Sequence, residues 1–364
     1  MTFVLGTRPE IVKMAPVARH FSDSARVAYT GQHYDPVLSD LFFSECGLRR
    51  PDVLLEVGGR SRGAQIGAAT EALDALFGRE RPAVVVVQGD TNATLAGALA
   101  ANAHDIPLVH VEAGLRSRDR AMPEEHNRVM VDHLADLLCA ATVGNAVNLR
   151  AENIDPRRIV CTGNTVVEAV QRHLPRPGRR GKLLADLGVE PGRFVLATLH
   201  RPENTDSETT LATVLAELGR IAGAGCPVVF PIHPRCRAAA RAAGLGSLLS
   251  RLLVIDPIGY GDFLALTKEC ALVISDSGGV QEEVTVLGSP LIVVRRSTER
   301  PESLTDFATL VEPGPQIGSL ALALLANAAE VRGRLALCPS PFGTGQAGRL
   351  IADAIRSTFD SRLR

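Results

Sequence analysis

A repeated alternation of short, wholly apolar runs with longer stretches of helical periodicity constrains this chain more than any other feature. Residues 84–87 are four consecutive valines. A run with no polar position suits a strand covered on both faces, as in a parallel sheet flanked by helices. Runs of this kind place strands at 2–5, 26–30, 83–88, 108–111, 137–141 and 158–161, and again at 194–198, 227–231, 252–255, 271–275, 291–294 and 308–311. Ala- and Leu-rich helical stretches such as 63–76 and 91–103 separate them. The alternation predicts an α/β fold of two Rossmann-like, doubly wound parallel-sheet domains. Two such sheets imply a central cleft at the carboxyl ends of their strands, the usual ligand site in open α/β folds.

Length agrees with this, because 364 residues at roughly 150 per domain make two domains. The stretch 173–181, HLPRPGRRG, combines prolines, glycines and charge and marks the boundary. The expected division is 1–172, 182–342 and a terminal helical segment 343–364, free to pack back on the first domain. Lys plus Arg is 39 and Asp plus Glu is 40, for a formal net charge of -1. A nucleic-acid partner requires a clustered cationic excess, and aromatics at 4% with no Trp offer no base-stacking platform. No apolar run approaches the ~20 residues that span a bilayer, and Arg8, Glu10 and Lys13 interrupt any signal-peptide core. The chain reads as cytoplasmic, with neither nucleic acid nor membrane as partner. Its seven cysteines are scattered and include no CxxC pair. Neither a disulfide framework nor a structural zinc site is expected, and most of them read as small core hydrophobes.

Residues just past strand ends face such a cleft, so chemistry is sought there. The first strand runs into GTRPEIVKM from Gly6. There is no GxGxxG after it and no GxxxxGK[ST] anywhere, so neither a dinucleotide fingerprint nor a P-loop is present. Arg8 and Lys13 place two cations near a helix N-terminus, where backbone N–H groups already favour an anion; solvated charges at an ordinary helix start are the plainer reading. The counterpart in the second half is sharper. There DSGGVQEE, from Asp276, follows an apolar strand and opens a helix. Gly278 and Gly279 let a diphosphate approach backbone amides, and Ser277 adds a hydroxyl. Glu282 and Glu283 lie one turn in, where a carboxylate can accept from ribose hydroxyls. RRSTER, from Arg295 to Arg300, returns cations to the same edge.

The first half also supplies carboxylates: Asp90 ends one strand and Glu112 the next, although Asp90 also suits a helix N-cap. In PEEHNRVMVDHLADLL, from Pro123, the apolar Val129, Met130, Leu134, Leu137 and Leu138 share one helical face. At about 100° per residue, Glu124 and Arg128 lie beside that face and Glu125 points away. Glu124 is therefore the expected partly buried acid and Glu125 the solvated one. An i,i+4 ion pair worth ~0.5 kcal/mol is the simpler reading of Glu124 and Arg128. His200 ends the first strand of the second half, beside Arg201. His126 and His133 lack the HExxH spacing, and no metal site is expected there.

Taken together, GTRPEIVKMAP, TGQHYD, VQGDTNATLA, HVEAGLRS, PEEHNRVMVDHLAD, GNTV, TLHRPEN, DSGGVQEE and STERPE resemble the non-hydrolysing UDP-N-acetylglucosamine 2-epimerases, in that family's order and along nearly the whole chain. The resemblance implies a glycosyltransferase-B-like pair of domains, a homodimer, and interconversion of UDP-GlcNAc and UDP-ManNAc with UDP as the departing group. It implies that neither nicotinamide nor a catalytic metal is required. It also implies catalytic roles for Asp90, Glu112, Glu124 and His200. Nucleotide and diphosphate contacts are implied for Arg8, Lys13, Arg128, Ser277, Gly278, Gly279, Glu283 and Arg300. Arg296 departs from the family, which usually has Asp there. Asp35 and the segment SRGAQI from Ser61 depart as well, so activation by a second UDP-GlcNAc molecule is not expected in its common bacterial form.

Overall fold

The computed structural model describes residues 1–21, 24–32 and 43–363; Asp35 lies outside them. By its contacts the chain divides into one unit of Met1–Ala169 with Phe342–Arg364 and another of Val170–Pro341. The first carries a parallel sheet of β1 (Thr2–Leu5), β2 (Arg26–Tyr29), β3 (Val53–Leu54), β4 (Val85–Gln88), β5 (Leu108–Ala113), β6 (Leu137–Ala140) and β7 (Ile159–Cys161), in the order β3-β2-β1-β4-β5-β6-β7. The second carries β8 (Val195–Thr198), β9 (Val228–Pro231), β10 (Leu253–Ile255), β11 (Leu272–Ser275), β12 (Leu291–Val294) and β13 (Ala308–Val311), in the order β10-β9-β8-β11-β12-β13. Every strand expected from the sequence is present, with ends moved by a residue or two. The exception on the other side is β3, a two-residue edge strand too short to leave a pattern.

Both sheets reverse their winding direction once, between β1 and β4 and between β8 and β11. That topological switch point opens a crevice at the strands' carboxyl ends, because the two connecting helices leave on opposite faces. The loops there are Gly6–Thr7 after β1, Gly89–Asp90 after β4, Leu199–His200 after β8 and Asp276–Ser277 after β11. Burial on both faces holds these loops on a rigid base. Val84 to Val87 have no exposed surface. In the second sheet Leu272 and Ile274 pack into one core and Val273 into another on the opposite face.

The chain passes between units inside the helix Val166–His173. The stretch expected as a connector instead opens a further helix, Pro177–Leu187, with Pro177 at its first turn and Leu184 buried. Proline is tolerated there because that N–H has no intrahelical partner. The terminal helix, Ala347–Leu363, packs on the helix Arg8–Ala18 of the first unit and buries Ile351, Ala352, Ile355 and Phe359. Cys46, Cys139, Cys236 and Cys270 are buried, whereas Cys161 is exposed at the end of β7. No described helix is long and apolar enough to cross a membrane.

Candidate active site

In the first unit, three strand-end loops meet around one polar cluster. Glu10, in the first turn of its helix, is buried and accepts hydrogen bonds from Gly6 N (3.0 Å), Thr7 Oγ1 (2.7 Å) and Thr91 Oγ1 (3.0 Å). It thereby ties the loop after β1 to the loop after β4. Burial pushes its carboxyl up to about 7, against the opposing pull of those hydrogen bonds. Thr91, not Asp90, caps the helix Asn92–Ala103, accepting from Thr94 N. Asp90 is left one residue upstream, where Arg128 donates to its Oδ2 through Nε (3.1 Å) and Nη2 (2.5 Å). Its Oδ1 makes no hydrogen bond to the described residues.

Glu112 is placed by a β-bulge. The register of β5 against β6 shifts between Val111 and Ala113, and Glu112 adopts φ +68°. A left-handed conformation in a residue with a Cβ costs about 1–3 kcal/mol and persists only when its surroundings impose it. Here Lys13 Nζ donates to both carboxylate oxygens (3.0 and 2.7 Å) and Gln88 Nε2 to Oε2 (2.5 Å). Lys13, expected at the diphosphate, is thus buried in an ion pair with an expected catalytic acid. Behind this layer, fully buried Asp132 accepts from Gly114 N (3.1 Å) and Arg116 Nη1 (2.7 Å) and binds His110 Nδ1 (2.7 Å). His110 Nε2 in turn donates to Gly89 O (2.8 Å). The turns that carry Asp90 and Glu112 therefore share one anchor.

Glu124 is partly buried as expected, but the expectation of a solvated Glu125 is corrected. Glu125 is the buried one, accepting from Ser117 N (2.9 Å), Ser117 Oγ (2.9 Å) and Arg118 N (2.8 Å) and pairing with Arg128. Glu124 is half-buried and has no hydrogen bond or ion pair to described residues, so the i,i+4 pair with Arg128 does not form. The cause is the helix's register. Leu137 and Leu138 belong to β6, not to the helix, and Met130 is 43% exposed. The face that packs inward is Glu125, Arg128, Val131 and Asp132, a largely polar face that hydrophobic spacing does not detect.

In the second unit, β8 and β11 pair Thr198 with Ser275, which sets His200 beside Asp276. Asp276 has no exposed surface and accepts from His200 N (3.0 Å), Arg201 N (3.0 Å) and Asn204 Nδ2 (3.0 Å), with His200 Nδ1 2.9 Å from its Oδ1. Burial pushes its carboxyl up, but these donors prevail and hold it below the usual range. Ser277 begins the helix Gly278–Leu287 without capping it, and its hydroxyl makes no hydrogen bond to described residues. A Cβ on Gly278 would lie 2.6 Å from Arg300 Nη1, whereas one on Gly279 would meet nothing within 4 Å. Arg300 is therefore packed beneath the helix start, where it bonds Glu282 through Nε (2.6 Å) and also pairs with Glu299. Glu299 extends the chain to Arg295 (2.9 Å). Glu283 is buried on the same helix, and Arg8 is half-buried at the start of its own.

Sequence reasoning missed two features here. Asp276 lay inside a noted motif but had no signal separating it from its neighbours. Beside His200 is an apolar cavity of about 240 Å³ lined by Pro231, His233, Pro257, Ile258, Tyr260 and Phe263, whose residues come from separate segments. Among the described residues, no group of three His, Cys, Asp or Glu is arranged to hold a metal ion.

Two doubly wound parallel sheets, each with charged or hydroxyl-bearing groups at its switch point, define a glycosyltransferase-B-like α/β protein. Comparison with known proteins narrows the class. A sequence model of the family described as UDP-N-acetylglucosamine 2-epimerase matches residues 18–356, and the chain belongs to that family. It is 37% identical over 362 residues to the UDP-N-acetylglucosamine 2-epimerase of Methanococcus maripaludis, covering 97% of each chain. It is 36% identical to the UDP-2,3-diacetamido-2,3-dideoxy-D-glucuronate 2-epimerase of Pseudomonas aeruginosa, covering 85% of this chain and 86% of that one. The crystal structure of the Methanocaldococcus jannaschii UDP-GlcNAc 2-epimerase in complex with UDP-GlcNAc and UDP superposes with a TM-score of 0.85 at 35% identity, covering 98% of both chains.

Proposed function

We propose that the chain interconverts UDP-N-acetylglucosamine and UDP-N-acetylmannosamine without hydrolysis, through elimination and re-addition of UDP. The C2 proton is not acidic in the ground state, so its removal is coupled to cleavage of the C1–O bond. A base takes the proton, the C2–H electrons form a C1=C2 double bond, and UDP leaves with the C1–O pair. UDP then returns to C1 as C2 is protonated from the opposite face. Two faces require two proton-handling groups.

The observation that carries this reading is the unequal engagement of three acids of the first unit, Asp90 and Glu112 at strand ends and Glu124 in the first turn of a helix. Among the described residues, Asp90 Oδ1 and the Glu124 carboxylate have no hydrogen-bond partner, while both oxygens of Glu112 are engaged by Lys13 and Gln88. We assign proton transfer to Asp90 and Glu124, and to Glu112 the task of holding Lys13. A diphosphate leaving near neutral pH needs charge stabilisation more than protonation. The Ser277 hydroxyl and the amides of Gly278 and Gly279, with Arg8, supply it, while the Ser277 amide donates to Ser275 Oγ (3.0 Å); Arg300 supports that helix start from below and Arg128 holds Asp90. His200 acts on the leaving oxygen or the glycal, Glu283 meets the ribose, and the cavity lined by Pro257, Ile258, Tyr260 and Phe263 takes the pyrimidine.

Incubation with UDP-GlcNAc in deuterated water tests the proposal. The expected products are both UDP-sugars, each carrying one deuterium at C2. Free ManNAc with stoichiometric UDP identifies a hydrolysing epimerase, and turnover only with an added acceptor identifies a glycosyltransferase. Either result overturns the proposal. UDP-2,3-diacetamido-2,3-dideoxy-glucuronate is assayed in parallel, since a relative acts on it. The family also implies a homodimer in the cytoplasm, and light scattering on the purified chain measures the first of these.

A further inference from the structure

We propose that Asp276 is a positioning residue that fixes the tautomer and orientation of the His200 imidazole, an inference that rests on the role just given to His200. A carboxylate oxygen accepts and does not donate, so a buried carboxylate oxygen 2.9 Å from Nδ1 favours the proton on that nitrogen. The other ring nitrogen, Nε2, then has its lone pair free for the reaction or carries the second proton to be delivered. Asp276 is placed for this and for little else. It has no exposed surface, so it meets no substrate, and it follows β11 one residue before the helix start at Ser277. Three donors besides the imidazole hold its carboxylate rigid: the amides of His200 and Arg201 and the Nδ2 of Asn204. The same carboxylate thus binds both the backbone and the ring of His200. The ring itself is 42% exposed and lines the apolar cavity.

The neighbouring imidazole does not substitute for it. His233 lies with its ring centroid 6.2 Å from that of His200, and its own Nδ1 accepts from Arg235 N. The two histidines of one cavity therefore have opposite Nδ1 roles, the first donating and the second accepting. This asymmetry leaves His200 as the ring with an oriented, carboxylate-backed Nε2.

The test combines ¹⁵N NMR of histidine-labelled protein with kinetics of Asp276→Asn, His200→Gln and the double variant. In the unsubstituted protein, a His200 signal with Nδ1 protonated is expected; Nδ1 unprotonated overturns the proposal whether or not any variant folds. Asp276→Asn keeps acceptor capacity for the two amides but turns its NH2 or its lone oxygen toward the ring. It is expected to lose the Nδ1–H signature and to lower kcat about 100-fold or more with little change in KM, as loss of an orienting carboxylate does elsewhere. In the His200→Gln background the same change is expected to cost nothing further. An equal additional loss there means that Asp276 acts on the fold and not through the imidazole. If His200→Gln is itself fully active, the reading of His200 fails; if only Asp276→Asn is fully active, this proposal alone fails.

Discussion

Gly278 and Gly279 are adjacent and chemically identical, yet the structure separates them. A methyl on Gly278 collides with the Arg300 guanidinium and Glu299, while one on Gly279 enters open space. Gly278→Ala is expected to destabilise the fold by roughly 1–3 kcal/mol through overpacking. Gly279→Ala is expected to leave the melting temperature unchanged or raised, because alanine favours helix, but to weaken UDP binding by ten-fold or more. Calorimetry beside thermal unfolding reads both effects. Glu10 gives a second residue-level prediction. Its folded-state pKa of about 7 lies above the ordinary 4.5, so its stabilising contribution is complete below pH 4.5 and is lost as pH rises through 7. Glu10→Gln is therefore expected to gain on the unsubstituted protein by on the order of a few kcal/mol between pH 5 and pH 8 in urea denaturation. Glu112→Gln should be the costlier of the acid variants in stability, because it removes the Glu112 charge from buried Lys13; Glu124→Gln, which breaks no hydrogen bond or ion pair to a described residue, should unfold like the unsubstituted protein.

At the scale of elements, legibility followed burial chemistry. Strands buried on both faces are continuous apolar runs, and these were readable because nothing but a covered strand tolerates four valines in a row. The helix Pro123–Leu134 was readable as a helix but not in its facing. Its inward side is made of Glu125, Arg128 and Asp132, which, besides the i,i+3 pair of Glu125 with Arg128, find partners in tertiary contacts from Ser117, Asp90, His110 and Arg116. A polar face satisfied largely by residues outside the helix has no local signature, so Glu125 was misread as solvated. The strand-end positions of Asp90, Glu112, His200 and Ser277 were readable for the opposite reason, since they depend only on where an apolar run stops. The terminal helix offers a packing test: Ile355 is fully buried, and Ile355→Ala is expected to lower stability by about 2–5 kcal/mol in urea denaturation, an effect that a loosely attached tail would not show.

Over the whole molecule, the proposed reaction draws acids from one unit and anion-binding groups from the other, and this predicts a separation of effects. Asp90→Asn and Glu124→Gln are expected to lose 10²–10⁴-fold in turnover, the usual worth of general acid–base catalysis, while keeping UDP affinity within a factor of about three. Ser277→Ala is expected to weaken UDP binding itself. Isothermal titration with UDP alongside turnover assays distinguishes them, and loss of UDP affinity in all three variants would contradict the division. The first unit has a property that no single residue carries: it is built from both ends of the chain, Met1–Ala169 and Phe342–Arg364, with the second unit inserted between. On the ribosome, where chains emerge from the amino end, the earlier-made portion must wait for the segment from Phe342 onward before its closing helix can dock. The unit encoded in the middle is thus able to finish folding first, and a released polypeptide ending just short of Phe342 would carry one completed body and one still open.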